Sequence, residues 1–230
     1  MPVLSIVIPA YNEARFIGSL LQQIKAVDLS RFGLESQILV VDDCSTDSTA
    51  AIVAAEPGVT LIRMPQNGGK GKAVRAGIAR ATGDYLIIQD ADLEYDPQDY
   101  IPMLDALLSG RGAVVYGSRY LQSGKHANQS LAAYLGGRSL SLIALVFTGT
   151  WLTDTVTAYK LFRREELAAL PLETSGFELD HEITARMVAR GARIVEVPIR
   201  YAPRTKAEGK KIGLRDWFIG FRTFWRYRRG

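Results

Sequence analysis

Cysteine is nearly absent: Cys44 stands alone in 230 residues. A single thiol makes no internal disulfide and no cysteine-built zinc site, so nothing in the chain depends on an oxidising compartment. There is no long hydrophobic run either. The longest uncharged stretch, residues 139–153, is 15 residues long and carries Ser, Thr and Gly. That is short of the ~18–20 apolar residues that cross a bilayer. Met1 and Pro2 lead straight into an apolar strand without a charged, cleavable leader, so no secretory signal is expected. A glycine loop followed by Lys-Ser/Thr is missing, which excludes a Walker A site. Val74 stands where G-x-G-x-x-G needs its third glycine, which disfavours nicotinamide and flavin cofactors. No period of 20–50 residues repeats, which argues against solenoids and propellers.

What is present is an ordinary globular composition, 47% hydrophobic and 23% charged, enough to bury a core without staples. The net charge of +4 is uneven. Residues 200–230 hold ten Lys and Arg against Glu208 and Asp216, a balance of +8, which leaves the preceding 199 residues at −4. A basic tail on a near-neutral body points to an anionic partner such as phosphate, nucleic acid or a membrane surface, or to a solvated end.

Short apolar runs alternate with helical stretches. Strands are expected at residues 3–8, 37–41, 59–64, 85–89, 113–116, 158–162 and 193–198. Helices are expected around residues 16–27, 50–55, 72–81, 97–108, 130–147, 165–170, 179–190 and 214–229. This alternation predicts an α/β fold, a mostly parallel sheet with helices on both faces. Residues 1–213 read as one domain and 214–230 as a basic amphipathic helix.

Ligands of open α/β sheets bind outside the carboxyl ends of the strands, and the polar clusters of this chain all follow strands. They are Pro9-Ala10-Tyr11-Asn12-Glu13, Asp42-Asp43-Cys44-Ser45, Asp90-Ala91-Asp92-Leu93-Glu94 and Gly117-Ser118-Arg119. Asp47 and Asp96 read as helix caps. Asp42 with Asp43, and Asp90 with Asp92, exceed what one cap needs. Asp90-x-Asp92 at a strand end suits a divalent cation, because Mg²⁺ takes one or two carboxylates and completes its shell with water and phosphate oxygens. Asn67-Gly68-Gly69-Lys70-Gly71-Lys72 opens a helix and reads either as a phosphate cradle or as a tight turn with solvated lysines.

In this order the clusters resemble those of the family-2 inverting glycosyltransferases, and among them the polyprenyl-phosphate sugar synthases of the dolichyl-phosphate mannose synthase type. The match continues through Gly117-Ser118-Arg119-Tyr120, Gly176-Phe177-Glu178, Glu196-Val197-Pro198-Ile199 and the basic cluster at residues 204–211. The resemblance implies a glycosyltransferase A-type fold. It implies that Pro9, Tyr11, Glu13, Val41 and Asp43 hold the base and ribose of a nucleotide diphosphate sugar, with GDP-mannose favoured. It implies that Asp90, Ala91, Asp92 and Glu94 surround the diphosphate and a Mg²⁺ or Mn²⁺ ion, Glu94 standing where relatives often carry Gln. Arg119, Arg138, Arg204 and Lys210 would face the phosphate of a polyprenyl phosphate.

A phosphate monoester, with a second pKa of ~6, attacks a sugar carbon without a general base. That agrees with a chain whose two histidines, His126 and His181, lie outside these motifs and are expected to be structural. A saccharide acceptor would need a carboxylate base, and Glu178, Asp180 or Glu182 is available for it. A nucleotidyltransferase or an idle membrane- or nucleic-acid-binding module is the reading from another class. The first lacks its glycine-arginine loop after strand one. Nucleic acid is disfavoured because the basic charge is confined to the tail.

The segment 214–229, wound as a helix, puts Leu214, Trp217, Phe218, Phe221, Phe224 and Trp225 on one face, with Arg215, Arg222, Arg226 and Arg229 alongside. That is the composition of a helix lying in a membrane interface, or of one packed on the domain. Residues 139–153 are a second apolar candidate. The expected setting is therefore peripheral, on the cytoplasmic face of a membrane, with no spanning helix in this chain.

Overall fold

A computed structural model describes residues 1–122, 131–203 and 214–229. The strands are β1 (Val3–Ala10), β2 (Glu35–Asp42), β3 (Val59–Arg63), β4 (Tyr85–Ile88), β5 (Val114–Ser118), β6 (Lys160–Arg163) and β7 (Ile194–Pro198). The helices are α1 (Ile17–Lys25), α2 (Thr49–Ala54), α3 (Lys70–Arg80), α4 (Tyr100–Leu108), α5 (Leu131–Thr148), α6 (Arg164–Ala168), α7 (Leu179–Ala189) and α8 (Leu214–Tyr227). Each expected element is present. Asp96 caps a 3-10 turn over Pro97–Asp99 before α4 begins, so that helix starts three residues later than its proline suggests.

The strands form one sheet in the order β3-β2-β1-β4-β6-β5-β7. Every pairing is parallel except those of β6, which runs against β4 and β5. The reversed strand brings its first residue, Lys160, level with Ile88 at the end of β4 and Tyr116 in β5. Side chains alternate between two cores, as a period of two requires. Ile6, Ile8, Ile87 and Leu161 pack with Leu20, Ile24 and Leu104 from α1 and α4. Val7, Leu86, Ile88 and Phe162 pack with Val74, Leu179 and Ile183 from α3 and α7. Gly77 makes this second contact possible: a Cβ there would stand 2.3 Å from a Val7 methyl.

The helix α8 lies against α5 and α7. Phe224 and Tyr227 are buried there with Ala144 and Ala185, and Trp217 donates from Nε1 to Ser139 Oγ of α5 at 2.8 Å. Phe218, Phe221 and Trp225 stay exposed. The aromatic face expected to be single is therefore divided between the domain and solvent.

Candidate functional site

The crevice lies where the strand order reverses, at the carboxyl ends of β1, β2 and β4, and continues to β5. The loops after β1 and β2 are tied together. Asn12, in the left-handed region at φ 55°, accepts from Thr46 N at 2.8 Å and donates its own N–H to Ser45 Oγ. Asp47 accepts from Ala14 N and Thr49 N, the capping expected of it. Tyr11 is exposed and Glu13 half-buried at this edge. Pro9 pairs with Val41 inside the sheet. Val41 is fully buried and its methyl faces Gly77, so only its backbone borders the crevice.

Asp43 holds the glycine loop. Its two carboxylate oxygens accept from Gly68 N at 2.8 Å and Gly69 N at 2.7 Å. The next amides, Gly71 N and Lys72 N, go to Ser175 O. The glycine loop therefore spends these N–H groups on the protein itself, as a turn closed by Asp43, and they do not cradle phosphate. Lys70 is not solvated. Its ammonium lies 2.8 Å from Asp90 Oδ1 and 3.3 Å from Asp180 Oδ2. Lys160, wholly buried, reaches the other oxygen of Asp180 at 3.1 Å and also donates to the carbonyls of Thr155 and Thr157. Burial alone would lower the pKa of Lys70, but Asp180 and Asp90 outweigh it and the ammonium is held upward. Burial would raise Asp180, and Lys160 and Lys70 bring it below the usual carboxylate range. Burial wins at Lys160, which is pushed down.

Asp90 rests on a buried support. Gln89, fully buried, donates from Nε2 to Asp90 O at 2.9 Å and accepts from the hydroxyls of Tyr100 and Tyr159. Asp92 is almost buried and accepts from Glu94 N. Ala91 is buried between them. Glu94 accepts from the Tyr201 hydroxyl at 2.8 Å. Among the described residues no three acidic, His or Cys side chains converge as a metal cage. Two hard oxygen donors on one loop fit the partial coordination by which Mg²⁺ or Mn²⁺ is held when phosphate oxygens supply the rest. Asp90 and Asp92 are the residues that would hold such an ion.

Beyond β4 the crevice turns basic. Arg119 is gripped by Asp154, Nε to Oδ2 at 2.7 Å and Nη2 to Oδ1 at 2.8 Å. Asp154 is fully buried. Its loop is held by Glu196, which accepts from Thr153 N, the Thr153 hydroxyl and Asp154 N. Arg138 of α5 donates to Thr153 O and shares the Tyr120 ring with Arg119, at 5.4 and 5.8 Å. Two cations thus share Tyr120, and Arg119 also lies over the Tyr201 ring at 5.0 Å, the tyrosine that bonds Glu94. Arg204, Lys210 and His126 lie outside the described residues.

The carboxylates of α7 and of Glu178, just before it, accept hydrogen bonds or pair with cations. Glu178 accepts from Ser175 N and Gly176 N. Glu182, fully buried, accepts from Glu173 N, Thr174 N, the Thr174 hydroxyl and Arg186. His181 is buried against Phe224, and burial pushes its pKa down to about 4, so it is neutral and structural. The sequence reading missed Lys70, Lys160, Asp154 and Tyr201 as parts of this constellation. An uncharged stretch ending in Asp154 was a possible signal. A lysine inside an apolar strand start, Lys160, was another.

The family model of Glycosyl transferase family 2 matches residues 5–170, more than half of the chain. The chain is 32% identical over 224 residues to an undecaprenyl-phosphate mannosyltransferase of Micrococcus luteus, covering 93% of this chain and 88% of that protein. It is 29% identical over 214 residues to a dolichol-phosphate mannosyltransferase of Pyrococcus furiosus, covering 91% of this chain but 59% of that protein, so it spans little more than half of that relative. Among solved structures it superposes on glucosyl-3-phosphoglycerate synthase of Mycobacterium tuberculosis in complex with UDP. The TM-score is 0.73 at 21% identity, over 99% of this chain and 80% of that one. A second structure of that enzyme, holding Mn²⁺, UDP and glucosyl-3-phosphoglycerate, gives 0.70 at 22% identity over 90% and 74%. The fold is the glycosyltransferase A type, and the chain belongs to family 2 of the glycosyl transferases.

Proposed function

We propose that the protein transfers a hexose, with inversion, from a nucleotide diphosphate sugar to a polyprenyl phosphate at a membrane surface. The observation that carries this reading is the pairing of Arg119 and Arg138 on the Tyr120 ring, with Arg119 also over Tyr201, which bonds Glu94, while Asp180 and Glu182 of α7 are taken up by cations and amides. A phosphate acceptor needs cations and no base. A hydroxyl acceptor needs a free base, and Glu178, Asp180 and Glu182 are engaged by amides or cations. Asp154 fixes the plane of Arg119 through Nε and Nη2, and a fixed guanidinium is suited to phosphate oxygens. The acceptor oxygen then attacks the anomeric carbon from the face opposite the departing diphosphate. Asp90 and Asp92 would hold a divalent ion, which would supply neutralisation of that leaving group. Pro9, Tyr11, Glu13, Asp43 and the backbone of Val41 border the base and ribose, and Asp43 also holds the adjoining glycine turn.

GDP-mannose is the favoured donor, because the Micrococcus and Pyrococcus relatives carry mannosyltransferase names. A UDP-hexose is the second reading. A relative of Trichomonas vaginalis, 29% identical over 85% of this chain, is a dolichyl-phosphate beta-glucosyltransferase, and the structural likenesses hold UDP.

The acceptor's polyprenyl chain stays in the bilayer, so the enzyme must come to it. No described helix is long and apolar enough to cross a membrane. Two helices instead expose apolar stripes. Leu131, Leu135, Leu142 and Val146 of α5 recur every four or seven residues, and Phe218, Phe221 and Trp225 line α8, all of them exposed. Arg215, Arg222 and Arg229 flank the second stripe. Arg226, also exposed, pairs with Glu173 at the surface. This two-helix face is the membrane contact, on the cytoplasmic side where nucleotide sugars are found.

The test is a transfer assay with GDP-mannose and UDP-glucose, each with undecaprenyl phosphate in liposomes and Mg²⁺ or Mn²⁺, the product anomer read by NMR. An inverted hexosyl phosphate with either donor supports the reading, and the donor used decides between GDP-mannose and a UDP-hexose. Transfer to saccharide hydroxyls, or to no phosphate acceptor, overturns it.

A further inference from the structure

The four charges deepest in the crevice balance one for one. Lys70 lies between Asp90 and Asp180, and Lys160 closes the set from the far side of Asp180. Three of these side chains are nearly sealed: Lys70 at 11%, Asp180 at 7% and Lys160 at 0% exposure. Asp90 is the open end, with its carboxylate at 25%. The Lys70 ammonium thus sits on an oxygen of one of the two carboxylates that would bind a divalent ion.

We infer that Lys70 makes metal binding conditional on the nucleotide diphosphate, by competing with the divalent ion for Asp90. The inference rests on the donor reading given above and concerns the order in which the donor site is filled. A dication held by Asp90 and Asp92 would share a carboxylate with the Lys70 ammonium, 2.8 Å from Asp90 Oδ1, in a setting where charges are poorly screened. The two cations would repel each other across that carboxylate. The doubly negative diphosphate of a nucleotide sugar would offset that repulsion. Lys70 has somewhere to go, because Asp180 remains within reach at 3.3 Å. It is tethered at the first residue of α3, whose loop is fixed by Asp43. The ring of Phe177, 5.7 Å from the ammonium, covers the outer side.

The alternative is an ion pair that only braces the loop. The two readings part on metal affinity measured without turnover. Free Mn²⁺ is followed by electron paramagnetic resonance during titration of the whole chain, alone and with saturating GDP or UDP. In Lys70→Gln, Mn²⁺ alone is expected to bind about tenfold tighter, and the gain from nucleotide to shrink by the same factor, near the lower end of ordinary coupling strengths. Asp180 keeps Lys160 in that variant, so the buried carboxylate is not stranded. Lys70→Arg keeps the charge and is expected to retain the wild-type coupling. Asp180→Asn carries the opposite sign: Lys70 closes on Asp90 alone, and Mn²⁺ alone binds more weakly. This second sign keeps the test open if the glutamine variant does not fold. Unchanged Mn²⁺ affinity in Lys70→Gln, or equal or tighter Mn²⁺ binding in Asp180→Asn, overturns the inference. A wild-type chain that binds neither GDP nor UDP with Mn²⁺ overturns the donor reading instead, which is a separate result.

Discussion

On the β1, β2 and β4 side of the crevice, carboxylates and amide oxygens accept from neutral backbone N–H groups: Asp43 from two glycines, Asp47 from Ala14 and Thr49, Asn12 from Thr46. On the β5, β6 and β7 side the structure is pinned by full charges facing each other in the interior: Arg119 with Asp154, and Lys160 with Asp180. The contrast has an energetic meaning. A lost hydrogen bond from an amide to a carboxylate costs about 1.5–3 kcal/mol. A buried charge deprived of its partner costs about 3–5 kcal/mol. Losing a backbone bond at Asp43 or Asp47 therefore costs less than stranding one member of the Arg119–Asp154 or Lys160–Asp180 pair.

The largest effect should come from breaking a pair. Asp154→Ala leaves the Arg119 guanidinium beside an apolar methyl, and stability should fall by about 3–5 kcal/mol, read as a lowered urea midpoint. A midpoint within 1 kcal/mol of wild type would erase the contrast. Asp92→Asn is the counterpart across the crevice: turnover should drop by ~10²–10³-fold, as when electrostatic help to a leaving group is removed, with an unchanged urea midpoint. Turnover within a few-fold of wild type would remove Asp92 from the donor site.

Acid should sharpen the comparison through His181. Its ring is neutral in the fold with a pKa of about 4, against the ordinary value of ~6.5. Between those values the unfolded chain takes up the proton and the fold does not, so stability falls as the pH is lowered through that window. The loss should approach about 3 kcal/mol at pH 4. His181→Gln should lack this component in urea titrations run across the same range. An identical profile for both proteins would mean that the ring is protonated in place.

The smallest effect concerns the outer face. The triple change Phe218→Ser, Phe221→Ser, Trp225→Ser should weaken co-sedimentation with anionic liposomes by about tenfold, and salt should weaken the remainder. Removing α8 outright would be a poorer test, because Phe224 belongs to the core. Equal pelleting of the variant would take α8 out of the contact.

The same contrast explains what the sequence made legible. Caps and strand ends are written locally: Asp47 two residues from Thr49, Asp96 two residues from Gln98. The loop positions at the carboxyl edge follow from that. The reversal of β6 has no local mark, because an apolar run of four reads the same in both directions. The contacts of Lys70 with Asp180 and of Arg119 with Asp154 are equally unwritten, their partners being 110 and 35 residues away. The division of the α8 aromatics depends on Gly220, where a Cβ would meet the His181 ring at 2.8 Å. A helical wheel shows an apolar face but not that its neighbour will approach closely enough to hide half of it.

The turn closed by Asp43 has a consequence for the motion of the unliganded protein. Three glycines among six residues give a segment that, left free, would sample more backbone conformations than any other in the chain. The two bonds from Gly68 and Gly69 to one carboxylate place that ordering within folding, ahead of any ligand. Those two amides should exchange with deuterated solvent slowly for a loop, at a rate that nucleotide leaves nearly unchanged. A ligand arriving there meets a rim already set, and its association carries little of the entropic penalty that a glycine loop would otherwise impose.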